Sequence, residues 1–121
     1  MAAPYVKVET PKEVLNKALE VIEIAKSSGK IRKGTNEATK AIERGKAKLI
    51  AIAADVNPPE IVMHLPALCS EKNIPHVFVT TKKELGNAAG LEVPTSAIAV
   101  LDAGDAKAQL KDVVDGLRKL K

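Results

Sequence analysis

The sequence predicts an α/β sandwich, on three observations. Short aliphatic runs, Lys48 to Ala54 (KLIAIAA), His76 to Thr80 (HVFVT) and Ala97 to Leu101 (AIAVL), alternate with stretches whose apolar residues recur at helical spacing. The chain holds one Phe, one Tyr and no Trp, yet 45% of its residues are hydrophobic. Its core must therefore be built from Val, Ile, Leu and Ala, which suit a sheet faced by helices. A length of 121 residues fits one domain whose single core buries about two-thirds of the unfolded surface. This pattern leaves the strand order open.

The first helix starts at Thr10-Pro11-Lys12-Glu13, where Thr10 can cap, Pro11 suits the first helical position and Glu13 completes a capping box. Leu15, Ala18, Leu19, Ile22 and Ala25 form its apolar stripe, and Gly29 stops it. An extended piece, Lys30 to Lys33, leads to Gly34 and a second helix that ends near Gly45. After the strand at Lys48 to Ala54, Asp55-Val56-Asn57-Pro58-Pro59 reads as a loop. Pro59 can open a third helix reaching Asn73, and Pro66 should split it after His64. Lys82 to Ala89 reads as a short helix stopped by Gly90. Asp105 begins the last helix, with Leu110, Val113, Val114, Leu117 and Leu120 as its stripe.

Several function classes recede on composition. No run of about eighteen apolar residues exists, so no membrane span is expected. The segment MAAPYVKVETP lacks the basic-then-apolar pattern of a signal peptide, and a cytoplasmic protein is expected. Cys69 is alone, which rules out an internal disulfide and a multi-cysteine zinc site. His64 reads as a packed or surface residue on the third helix rather than a ligand. Cys69 with His76 lacks an orienting third group, and Gly86, Gly90 and Gly104 form no phosphate-binding fingerprint. No catalytic residue, metal or cofactor is expected.

Charge is distributed unevenly. The chain carries a net +4, but from Lys26 to Lys48 eight cations face only Glu37 and Glu43, so the remainder is net negative. A basic patch on a near-neutral protein is the footprint of a polyanion partner, and equally of a solvated lysine-rich surface.

Within that window GTNEATK, Gly34 to Lys40, opens the second helix. With Asn36 at zero on a helical wheel, Lys40, Arg44 and Glu37 fall near 40°, 80° and 100°, and Ala38, Ala41 and Ile42 fall roughly opposite. The polar face is chemically mixed: Asn36 donates and accepts, Glu37 only accepts, Lys40 only donates. A carboxylate is wrong for a phosphate clamp but can take the N–H groups of a guanine edge, while an ammonium or amide serves O6 and N7. Arg32, Lys33 and the helix-start N–H groups can hold backbone phosphates. The bland alternative is a first turn favoured by the helix dipole, with Glu37 paired to Lys40 or Arg44.

GTNEATK, AADVNPPEIVMHLPALCSEKNIPHVFV and KKELGNAAGLEVP together resemble the kink-turn-binding ribosomal protein family of archaea, often called the L-seven-Ae family, over almost the whole chain. The resemblance implies a three-layer α/β/α sandwich around a small mixed sheet. It implies recognition of kink-turns, sharply bent RNA helices with a three-nucleotide bulge beside tandem sheared G·A pairs. The RNA-binding set it implies is Arg32, Lys33, Gly34, Thr35, Asn36, Glu37, Lys40, Asn57, Ile61, Lys82, Leu91, Glu92 and Val93. Asn36, Glu37 and Lys40 resemble the readers of the paired guanines, and Lys33 and Gly34 the turn whose backbone approaches the RNA. Asn57 and Ile61 resemble the pocket around the flipped-out nucleotide, Lys82 a backbone and pocket contact, and Leu91-Glu92-Val93 the loop that closes over the bulge. Eukaryotic relatives carry a basic residue near Val93, and this sequence does not.

The implied partners are ribosomal RNA, box C/D and H/ACA guide RNAs, ribonuclease P RNA in some archaeal members, and proteins assembled on them, with no DNA and with a monomer when RNA-free. Two other readings stay open on the residues alone. A small α/β enzyme acting on a nucleotide or RNA would need a glycine-rich cofactor loop after the first strand, and none is found. A protein-only interaction module would use the Leu91 to Val93 loop or the third helix.

Overall fold

The computed structural model describes residues 11–56 and 61–118. In chain order these form α1 (Lys12–Ser28), β1 (Lys30–Lys33), α2 (Thr35–Glu43), β2 (Leu49–Ala53), α3 (His64–Glu71), β3 (His76–Val79), α4 (Lys82–Ala88), β4 (Ala97–Asp102) and α5 (Lys107–Arg118). The strands lie in the order β1-β4-β2-β3. β4 runs antiparallel to both β1 and β2, while β2 and β3 are parallel. The sheet is thus mixed. α1, α4 and α5 pack together as one layer, and α2 packs with α3 as the other. All five residues of β2 are buried, as both faces of a central strand must be under two helical layers.

The core joins both layers: Val21, Ile22 and Ala25 of α1, Ala38 and Ile42 of α2, Leu65 and Cys69 of α3, Leu85 of α4 and Val113 of α5 surround the strands. Its large members are aliphatic, and Phe78 stacks edge-on against His76, ring centres 5.6 Å apart.

The chain departs from sequence expectation in four places. α1 begins at Lys12, with Pro11 as the flanking residue whose carbonyl accepts the first helical bond, from Leu15 N at 2.9 Å. Thr10, the expected cap, lies outside the described residues, as do Asn57, Pro58, Pro59 and Leu120. Along α1, Val21 joins Ala18, Ile22 and Ala25 in the core, while Leu15 and Leu19 are only half-buried. Pro66 does not split a helix. It sits in the first turn of α3, where backbone N–H groups have no intrahelical acceptor and a missing one costs nothing. α3 then runs to Glu71, and Asn73 adopts the left-handed conformation at φ 59°. Finally, α5 proper starts at Lys107, after a 3-10 turn at Gly104–Ala106. Asp102 Oδ1 accepts from Gly104 N at 2.9 Å and Ser28 Oγ accepts from Asp105 N at 3.0 Å, which tightens that turn.

Gly29 shows why α1 can hand over directly to β1. A Cβ there would lie 2.0 Å from Asp102 O, so only glycine lets the end of α1 pass the end of β4. Gly29→Ala must push two backbones apart, and a loss of about 2–4 kcal/mol in urea denaturation is expected. Cys69 is buried, and burial pushes its thiol from 9.0 up to about 12. The native protein should leave a thiol reagent unreacted at pH 8 while the unfolded chain reacts. Because the unfolded chain loses this proton first, Cys69 should also lower stability as pH rises from 9.0 towards about 12. A Cys69→Ala variant should show a shallower decline over that window.

Candidate nucleic-acid interface

The strand directions collect four chain segments at one end of the sheet. Lys33 of β1 pairs with Ile98 of β4, Ile52 of β2 pairs with Ala97, and Ala53 pairs with Val79 of β3. The ends of β1, β2 and β3 and the beginning of β4 therefore lie side by side. The turn at Gly34, the loop after β2, the start of α4 and the loop before β4 all emerge there.

Gly34 joins β1 to α2 within one residue. Its N–H donates to Ala97 O at 2.8 Å, and its carbonyl accepts from Ala38 N at 3.0 Å. This needs φ +99°, a conformation that side-chain-bearing residues avoid. Apart from its two chain neighbours, no atom of the described residues lies within 4 Å of where a Cβ would stand, so the backbone here is open on that side. Gly34, at the N-cap, has no side chain to cap α2, and no described side chain does so in its place. The first free N–H groups, of Thr35, Asn36 and Glu37, are left for water or a ligand.

A chain of hydroxyls holds this turn in place. Thr35 Oγ1 and Ser96 Oγ are 2.5 Å apart, which ties α2 to the start of β4. Thr39 Oγ1 donates to Thr35 O at 2.8 Å and lies 2.9 Å from His64 Nε2. A hydroxyl has one proton, so His64 must be the donor, carrying its proton on Nε2. His64 is thus an exposed residue that ties α3 to α2. The Thr35 hydroxyl is turned inward by Ser96, so Thr35 can offer a ligand its N–H rather than its side chain.

Asn36, Glu37 and Lys40 are exposed, while Ala38, Ala41 and Ile42 are buried, as the helical wheel requires. Lys40 Nζ lies 3.7 Å from Glu37 Oε1, with side chains 55% and 47% exposed. Such a pair contributes about 0.3–0.5 kcal/mol at most and yields readily to a better partner. Arg32 is half-buried and Lys33 exposed. As strand neighbours they point to opposite sides of the sheet, so they cannot grip the same phosphate.

The facing wall is the loop from Leu91 to Thr95. Leu91 N donates to Gly86 O at 2.9 Å, Thr95 N donates to Lys82 O at 3.2 Å, and Lys82 N donates to Asp55 Oδ1 at 2.8 Å. Lys82 thereby links the loop after β2 to the loop before β4. Leu91 packs against the core and is only half-exposed. Val93, 63% exposed, is the apolar side chain the loop presents, beside exposed Glu92. Ile61, 45% exposed, projects from the turn before α3, and so does Met63. Asn57 lies outside the described residues.

Sequence reasoning missed Ser96, Asp55, Thr39 and Gly86 as supports. Ser96 and Asp55 act across long stretches of chain and leave no local pattern. Gly86 does carry a signal, a glycine inside a short helix, which often marks a close backbone approach.

Residues 16–110 match the family described as Ribosomal protein L7Ae/L30e/S12e/Gadd45 family. Among solved structures, the Giardia lamblia 15.5kD RNA binding protein superposes with a TM-score of 0.90 at 34% identity, covering 98% of this chain and 98% of that one.

The loop wall can be tested through Gly86. A Cβ there would stand 2.3 Å from Val93 O. Gly86→Ala should displace the loop, cost about 1–3 kcal/mol in urea denaturation, and shift amide resonances chiefly from Leu91 to Thr95. Wild-type stability and an unshifted loop would show that it has slack.

Proposed function

The chain belongs to the ribosomal protein L7Ae/L30e/S12e/Gadd45 family, and from that premise we propose that it is a non-catalytic RNA-binding protein that recognises and stabilises kink-turns. The observation that carries this reading is the uncapped mouth of α2, where Gly34 leaves the backbone open and Asn36, Glu37 and Lys40 stand exposed together. A phosphate-only site has no use for Glu37. A purine edge in an irregular pair does, because guanine offers N–H donors to a carboxylate and O6 and N7 to an amide or ammonium. RNA is read at such non-canonical sites, since the deep major groove of its regular helix is closed to side chains. Lys33, Arg32 and the helix-start N–H groups supply sequence-blind phosphate contacts. Val93 and Ile61 supply apolar cover for a splayed base, with Lys82 as its polar neighbour.

The mechanism is selection. Binding only the bent form shifts the RNA population towards it by the protein's differential affinity. In this reading the protein is cytoplasmic, monomeric until it meets RNA, and serves in the large ribosomal subunit, on box C/D and H/ACA guide RNAs, and on ribonuclease P RNA. Chemistry in those assemblies belongs to other components. Cys69, the one thiol, is held protonated by burial and is no nucleophile.

The test compares a kink-turn RNA with a control whose G·A pairs are replaced by Watson–Crick pairs. Glu37→Ala should weaken kink-turn binding by ~1–3 kcal/mol and leave the control unchanged. Lys33→Ala should weaken both alike. Equal loss on both RNAs from Glu37→Ala would remove that carboxylate from base reading.

A further inference from the structure

The basic run that suggests a polyanion partner is not gathered at the Gly34 end. The fold divides it. Lys33 lies beside Gly34, but Lys30 starts β1 at the opposite end of the sheet, where its Cα pairs with Asp102. Lys46 and Lys48 lie between α2 and β2 at that same far end, with Lys48 N bonded to Val100 O at 2.7 Å. Lys107, distant in sequence, opens α5 there. Lys48 and Lys107 line one shallow groove of about 370 Å³ with Leu101, Asp102, Ala103 and Leu110.

We propose that this far end, which carries Lys30, Lys46, Lys48 and Lys107, is a second phosphate-backbone contact that takes a helical segment of RNA distinct from the one at Gly34. The proposal goes beyond kink-turn reading but rests on RNA being the partner. Four arguments carry it. All four lysines are exposed, and none forms an ion pair with another described residue. Asp102, the carboxylate among them, already accepts from Gly104 N at 2.9 Å. Asp105 and Glu43, the other acids on the neighbouring chain ends, leave the lysines in excess. Distance is the second argument. Five strand residues span roughly 15 Å, about twice the Debye length of ~8 Å at physiological salt. The far lysines therefore add little field at Gly34, and their charge acts on whatever lies at their own end.

Surface chemistry is the third argument. The exposed large apolar residues among those described, Ile61, Met63 and Val93, all lie at the Gly34 end. The apolar residues of the far groove, Leu101 and Leu110, are half-buried. That groove lacks the apolar centre of a protein interface and matches a sequence-blind polyanion contact. Geometry is the fourth. With the two contacts on opposite ends of one rigid sheet, a kinked RNA held at Gly34 leaves the far end free for a second helix.

The test preloads the full chain with saturating unlabelled minimal kink-turn RNA and titrates in a labelled plain RNA duplex of about sixteen base pairs. The preloaded complex should bind the duplex. With four ammoniums engaged, affinity should fall by roughly a hundredfold between about 50 and 200 mM salt. The combined variant Lys30→Gln, Lys46→Gln, Lys48→Gln, Lys107→Gln should lose duplex binding at least tenfold while keeping wild-type kink-turn affinity, which also reports that it folds. Glu37→Ala should leave duplex binding unchanged. Failure of the preloaded wild type to bind duplex at the lowest salt would overturn the proposal, as would undiminished binding by the lysine variant. Tighter binding of a polyglutamate peptide than of duplex at this face would overturn it in favour of an acidic protein partner. If instead kink-turn RNA fails to bind at Gly34, the duplex titration on free protein still decides. Duplex binding lost in the lysine variant alone supports the far contact, and loss in Lys33→Ala alone removes it.

Discussion

The turn at Gly34 is the constraint on which the rest of the site depends. The residue completes the edge pairing, donating to Ala97 O at 2.8 Å, and accepts the first bond of α2 from Ala38. One residue can end a strand and start a helix in this way only at φ +99°, where a Cβ would strain the backbone. The usual helix start uses Ser, Thr, Asp or Asn to fill the first free donors with its own oxygen. Glycine cannot do so, and three N–H groups are left facing outward. Strand pairing, helix start and open donors are thus one geometric fact, and Thr35 and Ser96 fix its orientation.

The order of the strands does the remaining work. β4 is antiparallel to both of its neighbours, so its beginning lies against the ends of β1 and β2. Loops from four separate parts of the chain meet there without any long excursion. The loop before β4 is braced by backbone bonds to Lys82 and Gly86 of α4, the Gly34 turn by its bond to Ala97, and Asp55 after β2 by its side-chain bond to Lys82 N. Side chains on such a frame are pre-placed, which lowers the ordering cost of binding.

The elements followed from sequence where local physics decides. β2 is a continuous aliphatic run because it is central, and α2 shows a buried face of Ala38, Ala41 and Ile42 because that face packs against β1 and β4. The mixed polar face at Asn36, Glu37 and Lys40 was legible for the same reason. Pro66 misled because a proline breaks a helix interior but is neutral in a first turn, and only the true start of α3 distinguishes the two. Whether Leu91 packs inward was not legible, because its partner surface is built by residues far away in sequence. The supports Ser96 and Asp55 were hidden for that reason too. Their role exists only once strand order is known, and strand order is not a local property.

The weakness of the Glu37–Lys40 pair completes the argument. Were that pair buried, each charge would be satisfied within the protein, and removing either to serve a ligand would leave a stranded partner at a cost of several kcal/mol. At half exposure the pair keeps both side chains extended on one face while water screens their attraction. When a planar group covers them, water leaves and the local dielectric falls, so each charge-assisted hydrogen bond to the ligand gains strength where the internal pair had little to lose. An incorrect surface that buried Glu37 against phosphate would meet the same low dielectric with the opposite sign. The carboxylate therefore contributes to discrimination chiefly through the N–H donors it accepts from, and the cations around it hold any RNA close enough for those bonds to decide.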